Sequence, residues 1–282
     1  MNVGSPRKMT NLERSAKKDT VGMIVTLIIY AIGAVSVPYV KIAAWLGGGK
    51  TLEWYLAFAF KAICSALPVY LIFQFGFKKS IVGLSGGRKG LLMCLPALSV
   101  AVNNFPFVPL ICGDMSFNGA IGGLFPYVLY CLSIGFMEEI IFRGNVLPLF
   151  MYKFGRDKKG LFFSVITSSA IFGAMHLLNL IGGFSPLVFL QVGYSFLIGC
   201  MCALCLLFSG NIIVPAIIHA VFDVGGFLTD AGFCSGTLWT TANVIFTAAF
   251  SVIMASILIA LFIKTDFSYV YEDWNLNDQS EK

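Results

Sequence analysis

Apolar runs long enough to cross a bilayer, which takes about 20 residues of helix, recur through nearly the whole chain. No soluble core can absorb them. Of the 282 residues, 58% are hydrophobic and 12% charged, against about 25% charged in an ordinary soluble domain. The chain therefore reads as an all-α, polytopic transmembrane bundle, and soluble-enzyme and DNA-binding functions are excluded. The net charge of +5 does not point to nucleic acid, because the basic residues fall in short clusters between apolar runs.

Reading the runs against their polar and Gly/Pro breaks gives about eight spans, near 21–46, 52–75, 91–110, 119–143, 161–180, 187–208, 212–229 and 240–263. The first follows some twenty polar residues without a small-x-small cleavage site, so it is expected to stay as a membrane helix. Pro38, Pro68, Pro96, Pro106 and Pro215 fall inside runs and predict kinks rather than breaks, since neighbouring helices can satisfy the freed carbonyls. Three N-terminal spans (21–118) precede a core at 119–263, and residues 264–282 form a polar tail whose acidic residues Glu272, Asp273, Asp278 and Glu281 read as solvated and disordered.

Basic residues cluster in alternate connections: Arg7, Lys8, Arg14, Lys17 and Lys18 in the first segment, Lys78, Lys79, Arg88 and Lys89 in the second loop, Lys153, Arg156, Lys158 and Lys159 in the fourth. The connections near 47–51, 111–118, 181–186 and 230–239 are almost free of them. The positive-inside rule then places both termini in the cytoplasm, with the plasma membrane as the expected location. Cysteines lie mostly within spans, where a thiol packs as a small apolar group. Cys200, Cys202 and Cys205 are expected to pack rather than bind metal, and Cys112 and Cys234, at external ends, leave a disulfide open.

Ionisable groups at membrane depth are costly and usually serve a cavity or a partner. From Leu161 to Ile263 the acids and imidazoles are His176, His219, Asp223 and Asp230; from Leu91 to Tyr152 the charges are Asp114, Glu138, Glu139 and Arg143. Both histidines of the chain fall within apolar runs. Glu139 and Arg143 are spaced i,i+4 on one helix, as are His219 and Asp223 on another, and each pair can meet. Glu138 points about 100° away from Glu139. It is left without a cation and is a candidate general base. Gly144 and Pro148 suggest that the helix turns just after this pair and continues as an interfacial segment.

Met137-Glu138-Glu139-Ile140-Ile141-Phe142-Arg143 reads as EExxxR, Phe172-Gly173-Ala174-Met175-His176 as FxxxH, and His219-Ala220-Val221-Phe222-Asp223 as HxxxN/D. The three motifs in this order resemble the CPBP family of intramembrane endopeptidases, which includes type II CAAX prenyl proteases and bacterial Abi proteins linked to bacteriocin self-immunity. The resemblance implies that Glu138 and His176 activate water, that His219 and Asp223 hold the oxyanion, and that Glu139 and Arg143 serve structure or substrate orientation. It leaves the metal open. Glu138, His176 and His219 could hold zinc with a free fourth position, yet there is no HExxH, and the family has been described both as metallo- and as metal-independent glutamate proteases.

Plainer roles stand beside these: an internal salt bridge for Glu139 and Arg143, a packing hydrogen bond for Asp223, and a satisfied core position for either histidine. Asn179 could donate to His176 or to substrate backbone, and Phe172, Met175 and Phe222 are expected to line the site. An ionised Asp223 only accepts hydrogen bonds, so a direct oxyanion role would require its protonated form. The expected partners are a peptide or protein substrate at the membrane and the bilayer itself, with no nucleic acid. Two other functions fit the same residues, a proton-coupled transporter and a non-catalytic membrane scaffold of protease fold. The lack of an internal repeat, and of acids or imidazoles in the external halves of the spans, counts against the transporter.

Overall fold

A computed structural model describes residues 18–75, 77, 83–119, 121–154 and 157–273. The basic residues Arg7, Lys8, Arg14, Lys17, Lys78, Lys79 and Arg156, and the acidic tail from residue 274 onward, lie outside the described residues. The helices are α1 (Thr20–Val35), α2 (Tyr39–Trp45), α3 (Lys50–Phe75), α4 (Gly87–Met93), α5 (Leu95–Asn103), α6 (Phe107–Cys112), α7 (Leu124–Ile141), α8 (Leu147–Phe154), α9 (Lys158–Met175), α10 (Leu187–Ser209), α11 (Ile213–Gly226), α12 (Thr241–Lys264) and α13 (Ser268–Asp273). Two short strands, β1 (Met115–Phe117) and β2 (Cys234–Gly236), complete the description. Asp19, Asp157 and Thr240 start α1, α9 and α12 by accepting from the backbone N–H groups of Gly22, Gly160 and Asn243 at 2.9, 2.7 and 3.3 Å.

The chain is an integral membrane protein with six helical stretches long and apolar enough to span a bilayer, rather than the eight expected: Thr20–Trp45, Lys50–Phe75, Leu124–Phe154, Lys158–Ile181, Leu187–Ser209 and Thr241–Lys264. The expected span at 91–110 is split into α4, α5 and α6, and the one at 212–229 contains only the shorter α11. Proline decides much of this. Pro96 and Pro106 sit at helix starts and break the run at 91–110 instead of kinking it, because each lacks the N–H that would continue the helix, whereas Pro38 separates α1 from α2 within a stretch that still counts as one span.

Pro68 behaves as expected and stays inside α3. Its ring leaves the carbonyl of Cys64 without the usual helical donor, and the Tyr30 hydroxyl on α1 donates to that carbonyl instead. The carbonyl of Pro68 accepts from Asn145 Nδ2 at 3.1 Å, and the same amide group donates to the Ile140 carbonyl at 2.9 Å. Asn145 belongs to a π-helical turn, Phe142–Val146, that joins α7 to α8 in one continuous helix. The helix therefore does not turn out to the interface at Gly144 and Pro148 as expected; Leu147, Pro148 and Leu149 are buried. Pro148 cannot bond the Gly144 carbonyl as a regular helix would, and the wider turn absorbs that loss.

Connections group into two ends. At one end β1 pairs antiparallel with β2, Lys50 Nζ donates to the Asp230 carbonyl, and Asn118 donates to the Gly232 carbonyl at 2.9 Å. Beneath them Trp54, Tyr127 and Phe233 form an aromatic plug, with Trp54 and Phe233 stacked at 6.2 Å and Tyr127 tilted against Phe233 at 5.1 Å. These are the connections poor in Lys and Arg. At the other end Asn211 donates to the Gly83 carbonyl and Lys158 to that of Ile263, at 2.9 and 2.8 Å. Among the described connections placed by these contacts, the grouping agrees with the alternation read from Lys and Arg.

Cys112 and Cys234 are both free, so the disulfide does not form; Cys234 pairs in register with Phe117. Cys202 and Cys205 are buried in the packed half of α10, as expected of packing residues. The start of the C-terminal tail is not solvated as expected: Val270 is buried and the Tyr269 hydroxyl donates to the Leu207 carbonyl, which docks α13 on α10.

Candidate active site

The site begins with a close helix crossing. A methyl group on Gly135 of α7 would come within 2.8 Å of the Ala216 carbonyl oxygen and the Ala220 nitrogen of α11, so only glycine lets the two backbones approach this far. One turn along α7 stand Glu138 and Glu139, and beside Ala220 on α11 stands His219. Gly135→Val should force the helices apart and lower the stability of the purified protein by about 1–3 kcal/mol, read by thermal unfolding; a midpoint equal to the parent's would show that the crossing tolerates the added bulk.

Glu139 is fully buried, and its Oε1 accepts from two donors, Arg143 Nη1 and His219 Nδ1, each at 2.8 Å. The i,i+4 pair expected from spacing is therefore made, with a third member from another helix. Because the carboxylate only accepts, Nδ1 of His219 carries a hydrogen and Nε2 is the ring atom left for chemistry. That Nε2 lies 3.7 Å from Glu138 Oε2 and 3.8 Å from Asp223 Oδ1, beyond hydrogen-bond distance from both. Asp223 Oδ2 is buried without a partner.

The adjacent carboxylates thus live differently. Glu139 is sealed in the core, its Oε1 shared by two donors and its Oε2 without a partner, whereas Glu138 makes no hydrogen bond among the described contacts and faces a cavity of about 260 Å³ that His219, Asp223, His176, Phe172 and Asn179 also line. Phe172 is the common wall. Its ring meets His176 and His219 edge-on at 5.3 and 5.7 Å, and the Arg143 guanidinium lies 4.6 Å from its centroid. Gly199 of α10 makes room on the far side, since a methyl group there would lie 2.9 Å from Arg143 Nη2.

The structure does not bring every expected residue into contact. His176 ends α9 where the helix tightens into a 3₁₀ segment, His176–Gly182, and its Nδ1 lies 3.2 Å from the Phe172 carbonyl. It shares the cavity but makes no hydrogen bond or ion pair with Glu138, His219 or Asp223 among the described contacts. Asn179 donates to Gln191 Oε1 at 2.8 Å rather than to His176. Among the described residues no three His, Cys, Asp or Glu side chains are assembled as a metal-binding group. Glu138, His176 and His219 line one cavity, and His176 makes no described contact with the other two.

One charged cavity residue belongs to no motif. Lys61 of α3 is buried and lines the same space. Its signal in the sequence is the one that marks the histidines, a lone ionisable group in a long apolar run, but no repeated spacing accompanies it.

Fold and site together define a membrane-embedded helical protein with a carboxylate–imidazole cluster enclosed between spans. Residues 120–225 match the family model of the Rce1-like type II CAAX prenyl endopeptidases, a family of CAAX-type intramembrane proteases. The family resemblance read from the three motifs therefore holds for this segment, which contains Glu138, Glu139, Arg143, His176, His219 and Asp223. No curated protein and no solved structure gives a significant match to the chain.

Proposed function

We propose that this protein is an intramembrane endopeptidase that cleaves a membrane-associated peptide or protein segment with water activated by Glu138. The observation that carries the reading is the division of labour between adjacent carboxylates: Glu139 is bonded to Arg143 and His219, while Glu138 makes no described hydrogen bond and faces the cavity, with His219 Nε2 at 3.7 Å. Glu138 takes a proton from water as the oxygen attacks the scissile carbonyl, and later returns it to the leaving nitrogen. His219, anchored through Nδ1, donates from Nε2 to the oxyanion when its ring carries both protons. Asp223 orients this ring from the next turn, and His176 flanks the water from the opposite wall.

In this reading residues 119–263 form the catalytic core and α1–α6 its N-terminal cover. The termini are cytoplasmic, the membrane is the plasma membrane, and the cavity admits substrate from the cytoplasmic side or from the bilayer. Substrates are of the CAAX-processing type or the bacteriocin-immunity type.

The test is hydrolysis of a fluorogenic peptide library by the purified protein in liposomes, with and without a strong chelator. Cleavage that survives the chelator is the expected result. Cleavage lost to the chelator and restored by zinc would require Glu138, His176 and His219 to close on a divalent ion. No cleavage of any peptide would sink the peptidase reading and favour a scaffold.

A further inference from the structure

Lys61 sits near the middle of α3, roughly 16 Å along the helix from Lys50 and roughly 21 Å from Phe75. It is 6% exposed. Its ammonium lies 4.5 Å from the centroid of the Tyr39 ring and 5.3 Å from that of Tyr130, so aromatic faces cover it from two helices. No described carboxylate pairs with it and no described acceptor takes a hydrogen bond from its Nζ, although Glu138 lines the same cavity. An ammonium at membrane depth normally has an anion or acceptors that satisfy its three donors. Ring faces supply attraction but no lone pair.

The geometry points to Lys61 as the receptor for a substrate carboxylate: with the catalytic reading of Glu138 as its premise, we infer that the cavity selects peptides carrying a carboxylate close to the scissile bond. The depth of Lys61 argues against a lipid phosphate, which lies at the surface of a hydrocarbon layer about 30 Å thick. Glu138 acts on this ammonium across the cavity without bonding to it, so an anion that bonds it directly must enter the cavity, and the chain that enters is the substrate. The carboxylate has two sources, the free C-terminus of a peptide or the side chain of Asp or Glu. Either completes the shell of Lys61 with a charge-assisted bond.

Binding reads this without hydrolysis. Labelled peptides that end in a free acid or in an amide, and a second pair with Glu or Gln at one internal position, are titrated into Glu138→Gln protein in nanodiscs and into the same protein with Lys61→Met. The expected result is that one acidic member binds about ten- to a hundredfold more tightly than its neutral twin, and that Lys61→Met abolishes the difference while leaving the neutral twin's affinity unchanged. The pair that shows the preference identifies the source. Equal binding within both pairs overturns the proposal, and that comparison needs no Lys61 variant. Equal weakening of acidic and neutral peptides by Lys61→Met also overturns it, leaving Lys61 a packing residue. If the parent protein binds acids selectively yet cleaves nothing, the peptidase reading fails and the carboxylate site stands.

Discussion

Glu138→Gln should insert and unfold like the parent protein and lose peptide hydrolysis by about 10²–10⁴-fold. Gln has nearly the same shape and keeps a carbonyl oxygen, so it can still hold a water molecule, but it cannot take the proton that the attacking oxygen must shed. The carboxylate it replaces is the one without a bonded cation, with its nearest described base, His219 Nε2, at 3.7 Å. Little in the packing depends on it. The loss should therefore appear in kcat with KM nearly constant, the pattern of an interaction made in the transition state. Hydrolysis at the parental rate by folded Glu138→Gln protein would remove Glu138 from the chemistry.

The neighbouring change should act on a different quantity. Glu139→Gln is expected to destabilise the protein by about 3–5 kcal/mol, because it removes the one charge that compensates a buried guanidinium. Arg143 is already hard pressed: Nε and Nη2 have no partner, and its remaining support is the face of Phe172 at 4.6 Å. The neutral amide also cannot accept from Arg143 and His219 as strongly through one oxygen, so the imidazole loses its anchor. Thermal unfolding in detergent checks the first effect and peptide hydrolysis on the surviving folded fraction the second. An unchanged midpoint would mean that Arg143 finds another acceptor when Glu139 is neutral.

Much of the site could be read from residue types alone because acids and imidazoles are rare where lipid surrounds a helix. The i,i+4 spacing of Glu139 with Arg143 translates directly into a 2.8 Å contact. What the motifs do not convey is how helices exchange partners. Nothing in FxxxH says that the helix tightens at His176 and that the ring settles on the Phe172 carbonyl. Nothing near Pro68 distinguishes it from Pro96, since what keeps α3 whole is a hydroxyl from Tyr30, supplied from another helix. The role of Lys61 is hidden in the sequence for the same reason: its neighbours Tyr39 and Tyr130 come from α2 and α7, and only the assembled bundle brings them round the ammonium.

The clasp of β1 and β2 joins segments at Met115–Phe117 and Cys234–Gly236, so its second half is synthesised long after its first. At about 5–20 residues per second, the first strand waits on the order of ten seconds with an open edge. Strands with unpaired edges recruit whatever passes, and this one is only three residues long, which keeps the exposed template small. During that interval α7 has already emerged with Glu138 and Glu139, but α11 with His219 is still to come. A nascent chain therefore holds an acid without the His219 imidazole, and the order of translation postpones the complete carboxylate–imidazole cluster until the membrane bundle is nearly closed.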